Sequence, residues 1–329
     1  MRSLLFRVKL SVVDTVLTKD PSEAAAFIKN GGIAAFPTET VYGLGANVFD
    51  ETAITRVFEA KQRPPDNPLI AHIASPEQIE ELATDVNEHA RKFIDEFFPG
   101  PLTVVLNKTD TVPDIATAGL KTIGIRMPSN ELAHTFIKAC RVPLVAPSAN
   151  LSGRPSPTTW QAVLEDLDGR INCILQGEPT SIGLESTVVD CSGGTPALLR
   201  PGAISLRQLQ AVVPETHPAE DLSDVPAKSP GLRHQHYAPR AKVHVIDPRS
   251  DLKFEISDLR FAAYIGLDRP KEQFKMERLC PTVENYGHSL FEFFRECDRR
   301  GIETIYCQAV GDSGIGAALM DRIRRAAAK

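Results

Sequence analysis

Residues 59–69 read "EAKQRPPDNPL", with Lys61 and Arg63 two apart on a corner stiffened by Pro64 and Pro65. The residue before a proline is driven out of the α region, so a helix must end here. Cations at the carbonyl end of a helix gain a few tenths to about 1 kcal/mol from the dipole. That accounts for a lysine, but not for the proline pair and the Asn67-Pro68 that follow. An anion site held on rigid backbone accounts for all of them.

Other strand ends carry similar chemistry. In "FPTETVYGLG", Thr38 and Thr40 follow a short apolar run, where α/β folds place ligands, and the glycines allow close backbone approach. An ordinary polar turn would read the same way. In "TIGIRMP", Arg126 ends an apolar strand; its planar fork suits a carboxylate, either a ligand's or a protein salt-bridge partner's. "APSANLSGRPSPT" puts Ser148, Asn150, Ser152 and Ser156 on a stiff loop suited to a polar ligand. "GLESTVVD" opens a strand with Ser186 and Thr187, and "LLRPGAIS" ends one with Arg200. There is no G-x-x-x-x-G-K-[ST], no strand-linked G-x-G-x-x-G, no G-x-S-x-G and no H-E-x-x-H. "GDSGIGAAL" reads as a glycine opening a tightly packed helix.

These residues need an α/β scaffold. "IAAF", "PLIAHI", "LTVVL", "TIGIR", "VPLVA", "INCIL", "STVVD" and "PALLR" predict strands. "SEAAAFIKN", "ETAITRVFEA", "NELAHTFIKAC", "TWQAVLEDL" and "SLRQLQAVV" predict helices, and Ser75-Pro76-Glu77-Gln78 a capped helix start. "PTETVYGLG" reads as loop throughout. The division is 1–213 as a catalytic domain, 214–240 as a Pro-, Ser- and charge-rich linker, and 241–329 as a smaller βαβ-type domain. There the strands are "AKVHVI", "FAAYIGL" and "TIYCQA", and the helices "LFEFFRECDRRG" and "GAALMDRIRRAAA".

Bulk composition narrows the class. The 329 residues carry a net charge of -5, so anion binding must come from a local cluster rather than a global pull toward nucleic acid or membrane. No apolar run has membrane-spanning length, and "MRSLLFRVKLSVVD" is a poor secretory signal. Six cysteines without a C-x-x-C pair read as reduced thiols, and cytoplasmic function is the expectation.

Taken together, "FPTETVYGLG", "KQRPPDNPL", "GIRMP", "APSANLSGRPSPT", "ESTVVD" and "LRPGAIS" resemble the YrdC-like family of L-threonylcarbamoyladenylate synthases. They occur in family order over roughly residues 15 to 210. "SPGLRHQHYAPRA" and "GIGAALMDRIRRA" extend the resemblance to the long, two-domain branch. It implies a twisted mixed sheet with helices around a concave basic site, plus a smaller Rossmann-like domain. It implies synthesis of the adenylate from L-threonine, bicarbonate or carbon dioxide, and ATP, with release of pyrophosphate. A separate tRNA-modifying transferase complex then uses the product; direct RNA contact stays open. By resemblance, Thr38, His72, Arg126, Ala146 and Ser186 hold L-threonine. Lys61 and Arg63 meet the triphosphate, with Mg²⁺ held mainly by its phosphates. Thr122, Ser148, Asn150, Ser156 and Arg200 join the nucleotide side. Arg233, His234, His236 and Tyr237 form a lid, with His236 or Tyr237 contacting ATP. Without the family, His72 reads as a satisfied core residue. An RNA-binding module without catalysis would also explain the cations, though not the hydroxyls. A carbamoyl-transfer enzyme of the hydrogenase-maturation type lacks its cysteine-rich zinc segments here.

Overall fold

The computed structural model describes residues 13–219, 237–247 and 259–328. Among them the first sheet has β1 (Val16–Thr18), β2 (Ala34–Phe36), β3 (Gly43–Asn47), β4 (Ile70–His72), β5 (Leu102–Asn107), β6 (Thr122–Arg126), β7 (Leu144–Val145), β8 (Cys173–Leu175), β9 (Thr187–Asp190), β10 (Ala197–Arg200) and β11 (His217–Pro218). They run in the order β1-β8-β2-β3-β7-β4-β6-β5-β9-β10-β11, a mixed sheet. Helices α1 (Pro21–Lys29), α2 (Glu51–Lys61), α3 (Ile79–Leu82), α4 (Glu88–Phe97), α5 (Asp114–Thr117), α6 (Glu131–Cys140), α7 (Trp160–Leu167) and α8 (Leu206–Val212) cover it. One face buries Ala24, Ile28, Phe136 and Ile137 from α1 and α6. The other buries Ile54 and Val57 from α2 and Phe93 from α4.

The ends of the elements follow local chemistry. Asp20, Asp50, Asn130 and Thr159 each accept a backbone N–H at a helix start. The α2 helix stops as its sequence requires: Gln62 takes a left-handed conformation (φ 52°) just before Arg63 and the prolines. Two expectations fail. Ser75 makes no side-chain cap, and its helix is a 3-10 turn running into the short α3. "PTETVYGLG" is not loop throughout, because Gly43–Asn47 is a strand antiparallel to β2. Its two glycines hid it: period-2 reasoning looks for side chains, but here Gly43 lets the strand pack against Phe36 and Ala146.

The second sheet is wholly parallel, in the order β12 (Lys242–Ile246), β15 (Thr304–Gln308), β13 (Ala262–Gly266), β14 (Met276–Leu279). The α9 helix (Val283–Arg299) and α10 (Ile315–Ala327) complete it. β14, "MERL", is a polar edge strand that no hydrophobic pattern announces. The two domains share apolar packing: Val41 and Leu184 of the first domain and Tyr237 join Leu290, Phe291 and Phe294 of α9 in one cluster. No helix among the described residues is long and apolar enough to cross a membrane. All six cysteines are buried and unpaired.

Candidate active site

The sheet brings distant motifs to one point. β4 and β6 are parallel, so their carboxyl ends coincide and His72 pairs in register with Arg126. β9 and β10 are antiparallel, so the start of one and the end of the other meet, and Arg200 donates from Nε and a terminal nitrogen to the Ser186 carbonyl at 3.1 and 3.0 Å. Gly202 follows because the turn lies against β9; a Cβ there would sit 2.2 Å from the Thr187 nitrogen.

Between these ends lies a cavity of about 70 Å³, lined by Thr38, Arg63, His72, Arg126, Ala146, Ser148, Ser186, Arg200 and Tyr237 among others. Nine sequence-predicted site residues therefore share one wall. Asn150, Ser156 and Lys61 stand behind it. Lys61, fully buried, donates to the backbone carbonyls of Ser148 and Asn150. Asn150 accepts from the Ser148 hydroxyl at 2.6 Å and donates to the Leu151 and Arg154 carbonyls, ordering the loop. Ser156 donates to the Glu185 carboxylate. Thr122 lies off the wall, at the other end of β6 from Arg126, roughly 13 Å along a strand rising about 3.3 Å per residue. Arg233, His234 and His236 lie outside the described residues.

The site's electrostatics are set by burial. Arg63 donates to the Asn67 and Pro68 carbonyls at 2.9 and 3.2 Å, so the proline corner is fastened onto its guanidinium. Burial lowers Arg63 to about 10, still cationic at neutral pH. Burial, then Arg63 itself, pulls Lys61 well below its usual value. His72 is pushed down to about 3 by burial and by Arg126, so it is neutral near pH 7. Its Nδ1 lies 3.2 Å from the Ile70 carbonyl, which assigns the proton there.

Thr40 was singled out with Thr38, but two further participants, Glu39 and Glu185, escaped the sequence reading of the site. Thr40 accepts from Arg126 at 2.7 Å, while Thr38 donates to the Val41 carbonyl. Glu39 forms an ion pair with Arg126 at 2.8 Å. Glu185 lines the cavity and pairs with Arg322 of α10 at 2.9 Å. Glu39 and Glu185 both sit inside motifs singled out for neighbouring hydroxyls; the pairing of an arginine with a carboxylate was the available signal.

This geometry has relatives. A family model described as telomere recombination, covering Sua5, YciO and YrdC proteins, matches residues 26–202. The threonylcarbamoyl-AMP synthase C-terminal domain matches residues 204–328. The chain is 45% identical over 315 residues to a Pyrococcus abyssi threonylcarbamoyl-AMP synthase, covering 92% of each. The chain belongs to the Sua5/YrdC family of threonylcarbamoyl-AMP synthases. Within it, the Bacillus subtilis threonylcarbamoyl-AMP synthase is 39% identical, covering 97% of this chain and 96% of that one. Among solved structures, P. abyssi Sua5 complexed with L-threonine superposes with a TM-score of 0.87 at 41% identity, covering 96% of this chain and 97% of that one.

Proposed function

We propose that the protein makes L-threonylcarbamoyladenylate from L-threonine, bicarbonate or carbon dioxide, and ATP, releasing pyrophosphate, for threonylcarbamoyladenosine modification of tRNA. The observation that carries this is the convergence of Arg63, Arg126 and Arg200, with the hydroxyl-bearing Thr38, Ser148 and Ser186, on one cavity. A triphosphate and an amino-acid carboxylate need such a place. Membership in the synthase family and the threonine complex of a 41% identical relative support the same reading.

The reaction asks for positioning and positive charge more than for a base. The threonine amine adds to carbon dioxide and loses a proton, giving a carbamate. A carbamate oxygen attacks the α-phosphorus, and the bond to the pyrophosphate oxygen breaks. The nucleophile is already an anion, so preorganised cations are the protein's main contribution. Arg126 holds the threonine carboxylate, with Thr38, His72, Ala146 and Ser186 around it. His72, being neutral, adds no second charge beside Arg126. Arg63 and Arg200 receive phosphates. Lys61 and Asn150 fix the loop that presents Ser148, and Thr122 and Ser156 are outlying members of the nucleotide side. Among the described residues no group of three or more His, Cys, Asp or Glu could hold a metal. Mg²⁺ would arrive on the triphosphate, held mainly by its phosphates, and would neutralise phosphate charge there. Tyr237 of the linker forms part of the cavity wall, its ring 5.4 Å from that of Phe291. Tyr237 is thereby placed to contact ATP, as expected of the lid.

The test is pyrophosphate release from ATP. It should require both L-threonine and bicarbonate; release that ignores either one sinks the proposal.

A further inference from the structure

Arg322 belongs to the C-terminal domain, yet its side chain reaches the first domain's site. It is fully buried. Its Nε donates to Glu185 Oε2 at 2.9 Å across 137 residues of chain, and a terminal nitrogen donates to the Pro201 carbonyl at 3.1 Å. Its guanidinium also meets Asp321 at 2.7 Å and lies 5.5 Å from the centre of the Tyr237 ring. Glu185, Arg200 and Tyr237 all line the cavity. Asp321 is in turn bound by Arg325 at 2.9 Å.

The charges matter because of what must enter. A triphosphate approaching Arg200 comes close to the Glu185 carboxylate. Burial pushes that carboxyl up, but Arg322 and Arg200, with the hydrogen bonds from Ser156 and Arg322, bring it below its ordinary range. It is therefore an anion at neutral pH, in a region where water screens little. Without Arg322 to compensate its charge it would repel phosphate.

We propose that Arg322 is a positioning residue for the nucleotide side: it masks the Glu185 carboxylate, so that this buried anion on the cavity wall does not repel the incoming phosphates. This rests on the function proposed above. The C-terminal domain then has a direct part in substrate binding, through one side chain. The competing account is that Arg322 only ties the two domains together.

The two accounts separate in a charge-removal pair. Calorimetric titration with Mg-ATP and, separately, with L-threonine is run on the parent, Arg322→Met, and Arg322→Met/Glu185→Gln. Masking predicts that Arg322→Met weakens ATP at least tenfold and threonine by less than threefold. The double variant, with no carboxylate left to mask, returns to within threefold of the parent for ATP. A folded Arg322→Met with ATP affinity within threefold of the parent overturns the proposal. So does a double variant that stays nearer the single variant than the parent. Replacing both members of a buried pair by neutral groups is tolerated better than removing one. If Arg322→Met does not fold, the double variant decides alone: within threefold of the parent supports masking, and a larger loss overturns it. Titration reads binding, not turnover. A parent that binds ATP but forms no product sinks the proposed reaction and leaves the masking test intact; a parent that binds no ATP overturns both.

Discussion

Two buried arginine–glutamate pairs stand on one cavity, and they are built differently. Arg126 meets Glu39 at 2.8 Å, but off the hydrogen-bond axis: among the described residues neither Glu39 oxygen has a hydrogen-bond partner. In the second pair, Glu185 accepts from both Ser156 and Arg322, and Arg322 is held further by Pro201 and Asp321. Among the described residues the first pair leaves both carboxylate oxygens and one Arg126 nitrogen without hydrogen bonds, and the second leaves one Arg322 nitrogen. A buried ion pair is costly to desolvate, and it returns that cost only where the remaining donors and acceptors are filled. The first is therefore suited to exchanging its partner for a substrate carboxylate, and the second to holding a charge out of the way.

The largest expected effect breaks the first pair on the arginine side. Arg126→Ala should lower threonine-dependent turnover about 10²–10³-fold, the usual loss for one preorganised electrostatic partner. ATP affinity should stay close to the parent's. Arg126→Lys should not restore turnover, because a point charge cannot reproduce the planar fork. Steady-state kinetics with each substrate varied will tell; parallel losses for both substrates would make Arg126 a structural strut.

Breaking the same pair on the acid side sharpens the contrast. Glu39→Gln leaves a buried guanidinium uncompensated, at a cost of about 3 kcal/mol. If Arg126 exchanges partners, the threonine carboxylate supplies the missing anion. Threonine should then raise the melting temperature more in Glu39→Gln than in the parent. An equal or smaller rise would mean that Glu39 and threonine never compete for Arg126.

The difference between the pairs is also a difference in what the sequence could reveal. Arg126 ends an apolar strand before a proline, and β4 and β6 are recognisable strands, so its arrival at the strand ends that line the cavity was legible. So were Arg63, from its proline corner, and Arg200, from its strand end and Pro-Gly turn. Arg322 sits beside Arg324 and Arg325 in a predicted helix, and nothing in the sequence sets it apart from them. Only the docking of α10 against the first domain sends one of them inward, and that is a tertiary fact. β3 was missed for a local reason: its glycines carry no pattern. Lys61 is the subtler case. Its type and spacing suggested a phosphate contact, but the structure turns its ammonium to the Ser148 and Asn150 carbonyls rather than onto the cavity wall.

The neutral His72 separates the first pair's surroundings from a simple charge cluster. Its folded-state value, about 3, lies below the ordinary 6.5. Between those values the unfolded chain binds a proton that the native state refuses, so stability falls as pH drops. The slope is about 1.4 kcal/mol per pH unit for one proton. His72→Gln should lack this component, and the parent and variant melting curves should diverge below pH 6.5. Coincident acid profiles from pH 6.5 to 4 would mean that His72 takes up its proton in the folded protein.

The smallest effect is expected at a third set of charges, which bridges the same two domains in the open. Arg299 reaches Glu165 at 3.0 Å and also contacts Glu292, but its side chain is 43% exposed. Solvent weakens each attraction and salt screens it, so such contacts are worth about 0–1 kcal/mol. Arg299→Ala should shift the denaturation midpoint only slightly, and less in high salt. ATP and threonine affinities should not move. The prediction isolates burial as the variable, since Arg299 and Arg322 both span the two domains and both contact carboxylates. If Arg299→Ala weakened ATP as much as Arg322→Met, the two arginines would share a role in domain docking. The position of Arg322 beside Glu185 would then explain nothing about nucleotide binding.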